Sequence, residues 1–291
     1  MKLQGTFVAL VTPFKDGQLN ETKLRELVRF QIENGTDGLV PCGTTGESPT
    51  LTESERNRVI EIVIEEAKGK AWVVAGTGTN DTAKTIKATQ RAKEMGADAA
   101  LVITPYYNKP TQAGLRRHFE AVADGAGLHI MIYNVPGRTG VNILPETVEH
   151  LAQLDHIVAI KEASGDLNQV SEVIHRCGDA IQVLAGDDSL FAPILAVGGV
   201  GVVSVIANLV PAELKALFEA FQAGNPARVQ ELHHKLLPLC QAMFYETNPV
   251  PVKTAMNLLG REVGDLRLPL VPMSEPNRAR LVEALKSYGL L

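Results

Sequence analysis

The stretch HIMIYNVPGRTGVNILPETVEHLAQLDHIVAIKEAS, residues 129–164, holds two short apolar, β-branched runs separated by the length of one βα unit. The runs cover residues 129–135 and 157–163. Working outward, similar runs fall at residues 7–13, 38–43, 72–76, 99–105, 182–186 and 200–206. They recur roughly every 20–35 residues, the period of a βα unit. Nearly continuous apolar character suits parallel strands buried on both faces. Between them lie helical patterns such as ETKLRELVRFQIENG (21–35) and ESERNRVIEIVIEEAKG (53–69). Thr52 and Glu55 form a capping-box pattern, and Gly35 and Gly69 stand where helices should stop. Eight units in roughly 210 residues favour an α/β fold of the (β/α)₈ TIM-barrel type. The alternative is an open doubly wound sheet, but no GxGxxG follows the first strand.

Strand patterns cease after about residue 210. Residues 211–224, 226–244, 251–260 and 275–289 read as four helices. The first can serve as the barrel's eighth helix. The expected division is a barrel catalytic domain over residues 1–224 and a C-terminal three-helix region over 225–291, packed on the barrel.

Composition narrows the function. Hydrophobic residues make up 45% and charged residues 21%, enough for a large core and without a disorder signature. The net charge of −5, with signs mixed along the chain, argues against a nucleic-acid partner. Cys42, Cys177 and Cys240 are few, scattered and odd in number, which fits a reducing compartment. MKLQGTFVALVTPF reads as a first strand and not a leader, because Pro13 interrupts its apolar run. No run is long enough to span a bilayer. The expected location is cytoplasmic, with no membrane partner.

Active sites in this architecture lie at the C-terminal ends of the strands. The sixth strand carries Lys161 on the same face as Ile157 and Ala159. Burial penalises an ammonium, and a neutral lysine amine has the lone pair that attacks a carbonyl. The competing reading, a structural lysine paired with Glu162, weighs about equally on spacing alone. The fifth strand ends in Tyr133, a phenol that could move protons, and its loop carries Arg138, a fork for a carboxylate. A rim aromatic and a solvated arginine would look the same. After the second strand, Gly43-Thr44-Thr45-Gly46 reads as a turn whose backbone N–H groups could meet a carboxylate or an oxyanion, or simply as a tight turn. Tyr106 and Tyr107 sit in the loop after the fourth strand, where packing is the commoner role.

Two features are set aside. Gly198-Gly-Val-Gly201 suggests a phosphate site but reads better as a turn into the eighth strand. His233 and His234 are adjacent on a helix, whereas paired metal ligands want i, i+4 spacing. No metal is expected.

Together, GTTGES (43–48), TPYYNKP (104–110), YNVPGRTG (133–140), IKEASGD (160–166) and NPVPVK (248–253) resemble, in order and spacing, the dihydrodipicolinate synthases of the lysine-dependent pyruvate aldolase superfamily. The resemblance spans essentially the whole chain. It implies that Lys161 forms an imine with pyruvate and that Tyr133 donates and accepts protons. It implies a hydroxyl relay through Thr44 and Tyr107, with Tyr107 supplied by a neighbouring subunit. Thr45 would hold the pyruvate carboxylate, helped by backbone near Gly186 and Val203, and Arg138 would receive the carboxylate of L-aspartate 4-semialdehyde. The implied product is 4-hydroxy-tetrahydrodipicolinate, on the diaminopimelate route to lysine. No cofactor is implied, and the implied assembly is a homotetramer built as a dimer of dimers.

The resemblance also implies a regulatory lysine site at a subunit interface. Ser48, Asn80 and Tyr106 match it. Pro49, Glu53, Arg56 and Lys84 replace what is typically an alanine, two histidines and a glutamate. Lys84 puts a cation where an acid would meet the effector's ammonium, so weak or absent lysine feedback is expected. Two rival functions stand beside this reading: a sibling aldolase with a sugar-acid acceptor, like the N-acetylneuraminate lyases, and a non-catalytic keto-acid sensor.

Overall fold

Eight parallel strands appear where the apolar runs placed them. In the computed structural model, which describes residues 1–291, they are β1 (Gly5–Ala9), β2 (Gly38–Val40), β3 (Trp72–Gly76), β4 (Ala99–Ile103), β5 (His129–Asn134), β6 (Ile157–Glu162), β7 (Gln182–Ala185) and β8 (Gly201–Ser204). They close a barrel in the order β1-β8-β7-β6-β5-β4-β3-β2. The chain folds as a TIM barrel with additional C-terminal helices. The chain's internal contacts group into two compact units, Met1–Gly5 with Trp72–Val203, and Thr6–Ala71 with Ser204–Leu291.

In the first unit β3 to β8 carry the core. Ala99, Ala100, Val102, Ile130, Met131, Ile132, Ala159 and Ile160 are wholly buried, as parallel strands covered on both faces require. Between β5 and β6 the register shifts once: Ile130 faces Ile157 and Met131 faces Ala159, so Val158 is an extra residue. Beyond that bulge the pairs run Ile132 with Ile160, Tyr133 with Lys161 and Asn134 with Glu162. At the start of β8, a side chain on Gly201 would lie 2.2 Å from the Gly5 carbonyl oxygen, so only glycine lets these backbones approach.

In the second unit the helix Glu53–Ala67 begins with the expected capping box: the Glu55 amide donates to Thr52 Oγ1, and the Thr52 amide donates back to Glu55. All four C-terminal helices are present, as Pro211–Gln222, Pro226–Ala242, Val250–Leu258 and Glu275–Tyr288. No helix is long and apolar enough to cross a membrane.

The strand ends differ from expectation. The apolar runs at residues 10–13, 41–43 and 104–105 continue past their strands into buried loops. Leu10 and Val11 are buried, yet the Val11 amide leaves the ladder and donates to Asn208 Oδ1 at 3.2 Å. A two-residue hairpin, Phe14–Lys15 with Gln18–Leu19, was not foreseen. It turns through Asp16 (φ 52°) and Gly17 (φ 75°), both left-handed, the geometry an Asp-Gly pair favours.

Candidate active site

Lys161 and Tyr133 are the decisive pair. They stand one residue before the ends of β6 and β5 and face each other in register. Both are buried, at 5% and 6% exposure, and the Lys161 Nζ lies 4.3 Å from the Tyr133 ring centroid. The structural alternative for Lys161 is a salt bridge at the strand end, with Glu162 as the nearest candidate partner in sequence. Strand alternation turns Glu162 to the opposite face. There its carboxylate accepts from Asn134 Nδ2 (3.0 and 3.2 Å), the Ser164 amide (2.7 Å) and Gln169 Nε2 (3.2 Å). Lys161 makes no ion pair, and what it meets is an aromatic face. Gly186, just past β7, is required here: a Cβ would lie 3.1 Å from Lys161 Cε and 2.7 Å from Ala163 Cβ. Val203 is wholly buried near the end of β8.

Arg138 sits exposed on a short helical turn, Pro136–Thr139. Thr139 secures that turn, its hydroxyl bonding the Val135 and Val141 carbonyls at 3.2 and 2.9 Å. Tyr107 is 88% exposed and holds a left-handed backbone, φ 71°. A bulky non-glycine residue in that region is strained, and so much exposed aromatic surface has no packing role within this chain. Its loop is tied by Asn108 Nδ2, which donates to the Asn80 carbonyl at 2.9 Å. Tyr106 is half-buried beside it, and Lys84 is exposed at the start of the helix Thr82–Met95, its amide on the Asp81 side chain.

In the second unit the loop after β2 brings Thr44, half-buried, next to Thr45, which is 2% exposed. In this loop the amides of Gly46, Glu47 and Ser48 are used internally, on the carbonyls of Gly43, Thr44 and Gly43. The left-handed positions are not the glycines but Cys42 (φ 57°) and Glu47 (φ 54°). Glu47 is held there by a buried ion pair with Lys253 at 2.8 Å and by the Arg267 amide at 3.0 Å. Lys253 Nζ also donates to the Thr12 and Asp265 carbonyls. Burial pulls the Lys253 ammonium below the ordinary lysine range, and Glu47 pulls it back. Asn248 Nδ2 donates to Thr45 Oγ1 at 2.9 Å. Ser48 spends its carbonyl on Arg56, at 3.4 Å.

The motif NPVPVK by itself gives Asn248 and Lys253 no task, and sequence spacing gives none to Asn134, Asn142 or Gln169. Their partners are distant in sequence, so no local spacing shows them. All three cysteines are buried and outside any disulfide, and burial pushes the Cys42 thiol up to about 12, away from the reactive thiolate form.

The model of the dihydrodipicolinate synthetase family matches residues 2–288. The chain belongs to that family. A relative from Citrifermentans bemidjiense, named 4-hydroxy-tetrahydrodipicolinate synthase, is 57% identical over 288 residues, covering 99% of both chains. Among solved structures, dihydrodipicolinate synthase from Aquifex aeolicus superposes with a TM-score of 0.97 at 47% identity, covering 99% of both chains. The enzyme from Thermotoga maritima does so with a TM-score of 0.97 at 45% identity over 100% of both. The family resemblance read from the strand-end motifs therefore holds across the full length.

Proposed function

We propose that this chain condenses pyruvate with L-aspartate 4-semialdehyde to 4-hydroxy-tetrahydrodipicolinate, through an imine on Lys161. It is an enzyme, an aldolase-type lyase of the family that makes a precursor of diaminopimelate and lysine. The observation that carries the reading is a buried lysine beside a buried tyrosine, with no carboxylate paired to it, in a full-length relative of the named synthases.

The chemistry follows from the residue types. The Lys161 amine adds to the pyruvate ketone and water leaves, giving a protonated imine. The imine draws electrons and makes the methyl protons acidic. Loss of one proton gives an enamine, whose carbon attacks the semialdehyde's aldehyde. The semialdehyde amine then attacks the imine carbon, displaces Lys161 and closes the ring. Tyr133 serves as proton donor and acceptor, and Thr44 and Tyr107 complete a hydroxyl relay. The exposure and strained backbone of Tyr107 support its working in a neighbouring subunit. Thr45 holds the pyruvate carboxylate, with backbone near Gly186 and Val203. Arg138 holds the carboxylate of the second substrate; a guanidinium suits a small acid better than the hydroxyls of a sugar-acid acceptor.

The proposed assembly is a homotetramer, a dimer of dimers, working in the cytoplasm, with residues 225–291 as an appendage to a catalytic barrel of 1–224. Lysine feedback is weak or absent at the degenerate site of Ser48, Asn80, Lys84 and Tyr106. The test of the function is an acceptor screen with pyruvate. Fast turnover with aspartate semialdehyde and slow turnover with sugar aldehydes is expected. The reverse order would move the chain to a sibling aldolase, and no turnover with any acceptor would leave a keto-acid sensor.

A further inference from the structure

The geometry points to Glu162 and Asn134 as positioning residues that lock Lys161, Tyr133 and the Arg138 loop into one working arrangement. The inference rests on the roles proposed above for those three groups. Lys161 and Tyr133 are register partners, and so are the residues that follow them, Glu162 and Asn134. Alternation puts the first pair on one face of the two strands and the second pair on the other. Both oxygens of the Glu162 carboxylate take the Asn134 amide nitrogen, at 3.2 and 3.0 Å. That bond forms only when Glu162 stands opposite Asn134, which is also the register that sets Lys161 opposite Tyr133.

Such a lock has work to do here. The bulge at Val158 interrupts the β5–β6 ladder three residues before Lys161. A bulge releases local register, and a one-residue slip turns every following side chain to the wrong face. Two backbone bonds continue past the pair, Ala163 amide to Asn134 carbonyl at 2.9 Å and Gly186 amide to Glu162 carbonyl at 2.7 Å. The side-chain clamp secures the same end.

The clamp also closes the base of the Arg138 loop. Asn134 Oδ1 accepts from the Ile143 amide at 3.2 Å, and Asn134 Nδ2 donates to Asn142 Oδ1 at 2.8 Å. Thus the loop leaves Asn134 and returns to its side chain. Gln169 joins in reciprocally: Asn142 Nδ2 donates to Gln169 Oε1 at 2.7 Å, and Gln169 Nε2 donates to Asn142 Oδ1 at 3.1 Å. All the groups around Glu162 are donors, so it acts as an acceptor-only carboxylate. Glutamine at this position would set an N–H₂ against those donors.

The test measures two rates in the intact enzyme: borohydride-trapped pyruvyl adduct at Lys161, and turnover with semialdehyde. Glu162→Gln should slow adduct formation at least tenfold with the pyruvate KM little changed. The swap N134D/E162Q, which restores one amide and one carboxylate across the pair, should recover at least half of that loss on a logarithmic scale. A wild-type adduct rate in E162Q would overturn the lock. So would a loss that the swap leaves untouched. If E162Q does not fold, Asn142→Ala decides, because Asn142 is only half-buried: it should raise the semialdehyde KM at least fivefold with the adduct rate unchanged, and an unchanged KM would overturn the inference. Failure of the wild-type enzyme to form any Lys161 adduct would instead refute the imine reading itself.

Discussion

Lys253→Met tests how the second unit holds the Thr44–Thr45 loop. Lys253 and Glu47 are each 1% exposed and 2.8 Å apart. The lysine also satisfies the Thr12 and Asp265 carbonyls at 3.2 and 2.7 Å. Methionine fills much the same volume, so the cost is electrostatic and not a cavity. Removing one partner of a buried pair leaves an uncompensated charge, at about 3–5 kcal/mol. At about 2–3 °C per kcal/mol for a chain of this size, the melting temperature should fall by about 6–15 °C. Neutralising the stranded charge in K253M/E47Q should recover about 0.5–3 kcal/mol, the usual coupling between contacting groups. The control is Lys286→Met, whose pair with Glu283 is 56% and 73% exposed and should be worth less than about 1 kcal/mol. Thermal melts of the four proteins read the shifts in melting temperature, and denaturant titrations read the free energies. A K253M loss no larger than the K286M loss would refute the argument that burial makes this pair matter.

Arg138→Leu should lower kcat/KM for the semialdehyde by about 10- to 150-fold, the worth of one charged hydrogen-bonded contact, while pyruvate adduct formation is nearly unchanged; equal losses in both would remove the assigned role. The Arg267 guanidinium beside Glu55 holds its carboxyl at about 2, below the ordinary 4.5. The folded value is depressed, so the stabilisation is full above about pH 4.5 and is lost as pH falls toward 2. The gap in melting temperature between wild type and Glu55→Gln should therefore shrink over that window, and a gap that stays constant would contradict the ion pair's role. Lysine at millimolar concentration should leave the initial rate nearly unchanged, because on the proposed reading Lys84 would meet the effector's ammonium as a like charge; inhibition at submillimolar lysine would contradict that reading.

The parts of this fold that could be read in the sequence are those with a local signature. Strands buried on both faces produce unbroken apolar runs, and the run at residues 72–76 coincides with the strand Trp72–Gly76, buried from Val73 onward. A lysine inside such a run stands out, and so did Lys161. Where apolar residues continue past the ladder, the ends blur: the Val11 side chain is as buried as a strand residue, and only its bond to Asn208, 197 positions away, shows that the strand has ended. The hairpin through Asp16 and Gly17 has two residues per strand, too few to display a period. The supports of the site were invisible for a related reason. Lys253 finds Glu47 across 206 positions, and Glu162 finds Asn134 across 28. Alternation along the strand assigns Lys161 and Glu162 to opposite faces, so adjacency in sequence does not pair them. The family motifs supplied roles for Thr44, Tyr107 and Arg138 that residue spacing left open.

The most direct test of the central claim is mass spectrometry of the intact protein and its peptides after incubation with pyruvate and borohydride. A single reduced pyruvyl adduct, mapped to Lys161, is the predicted result. Folded protein that gains no adduct, or gains one on another lysine, would contradict the imine mechanism, whatever the barrel's resemblance to its relatives.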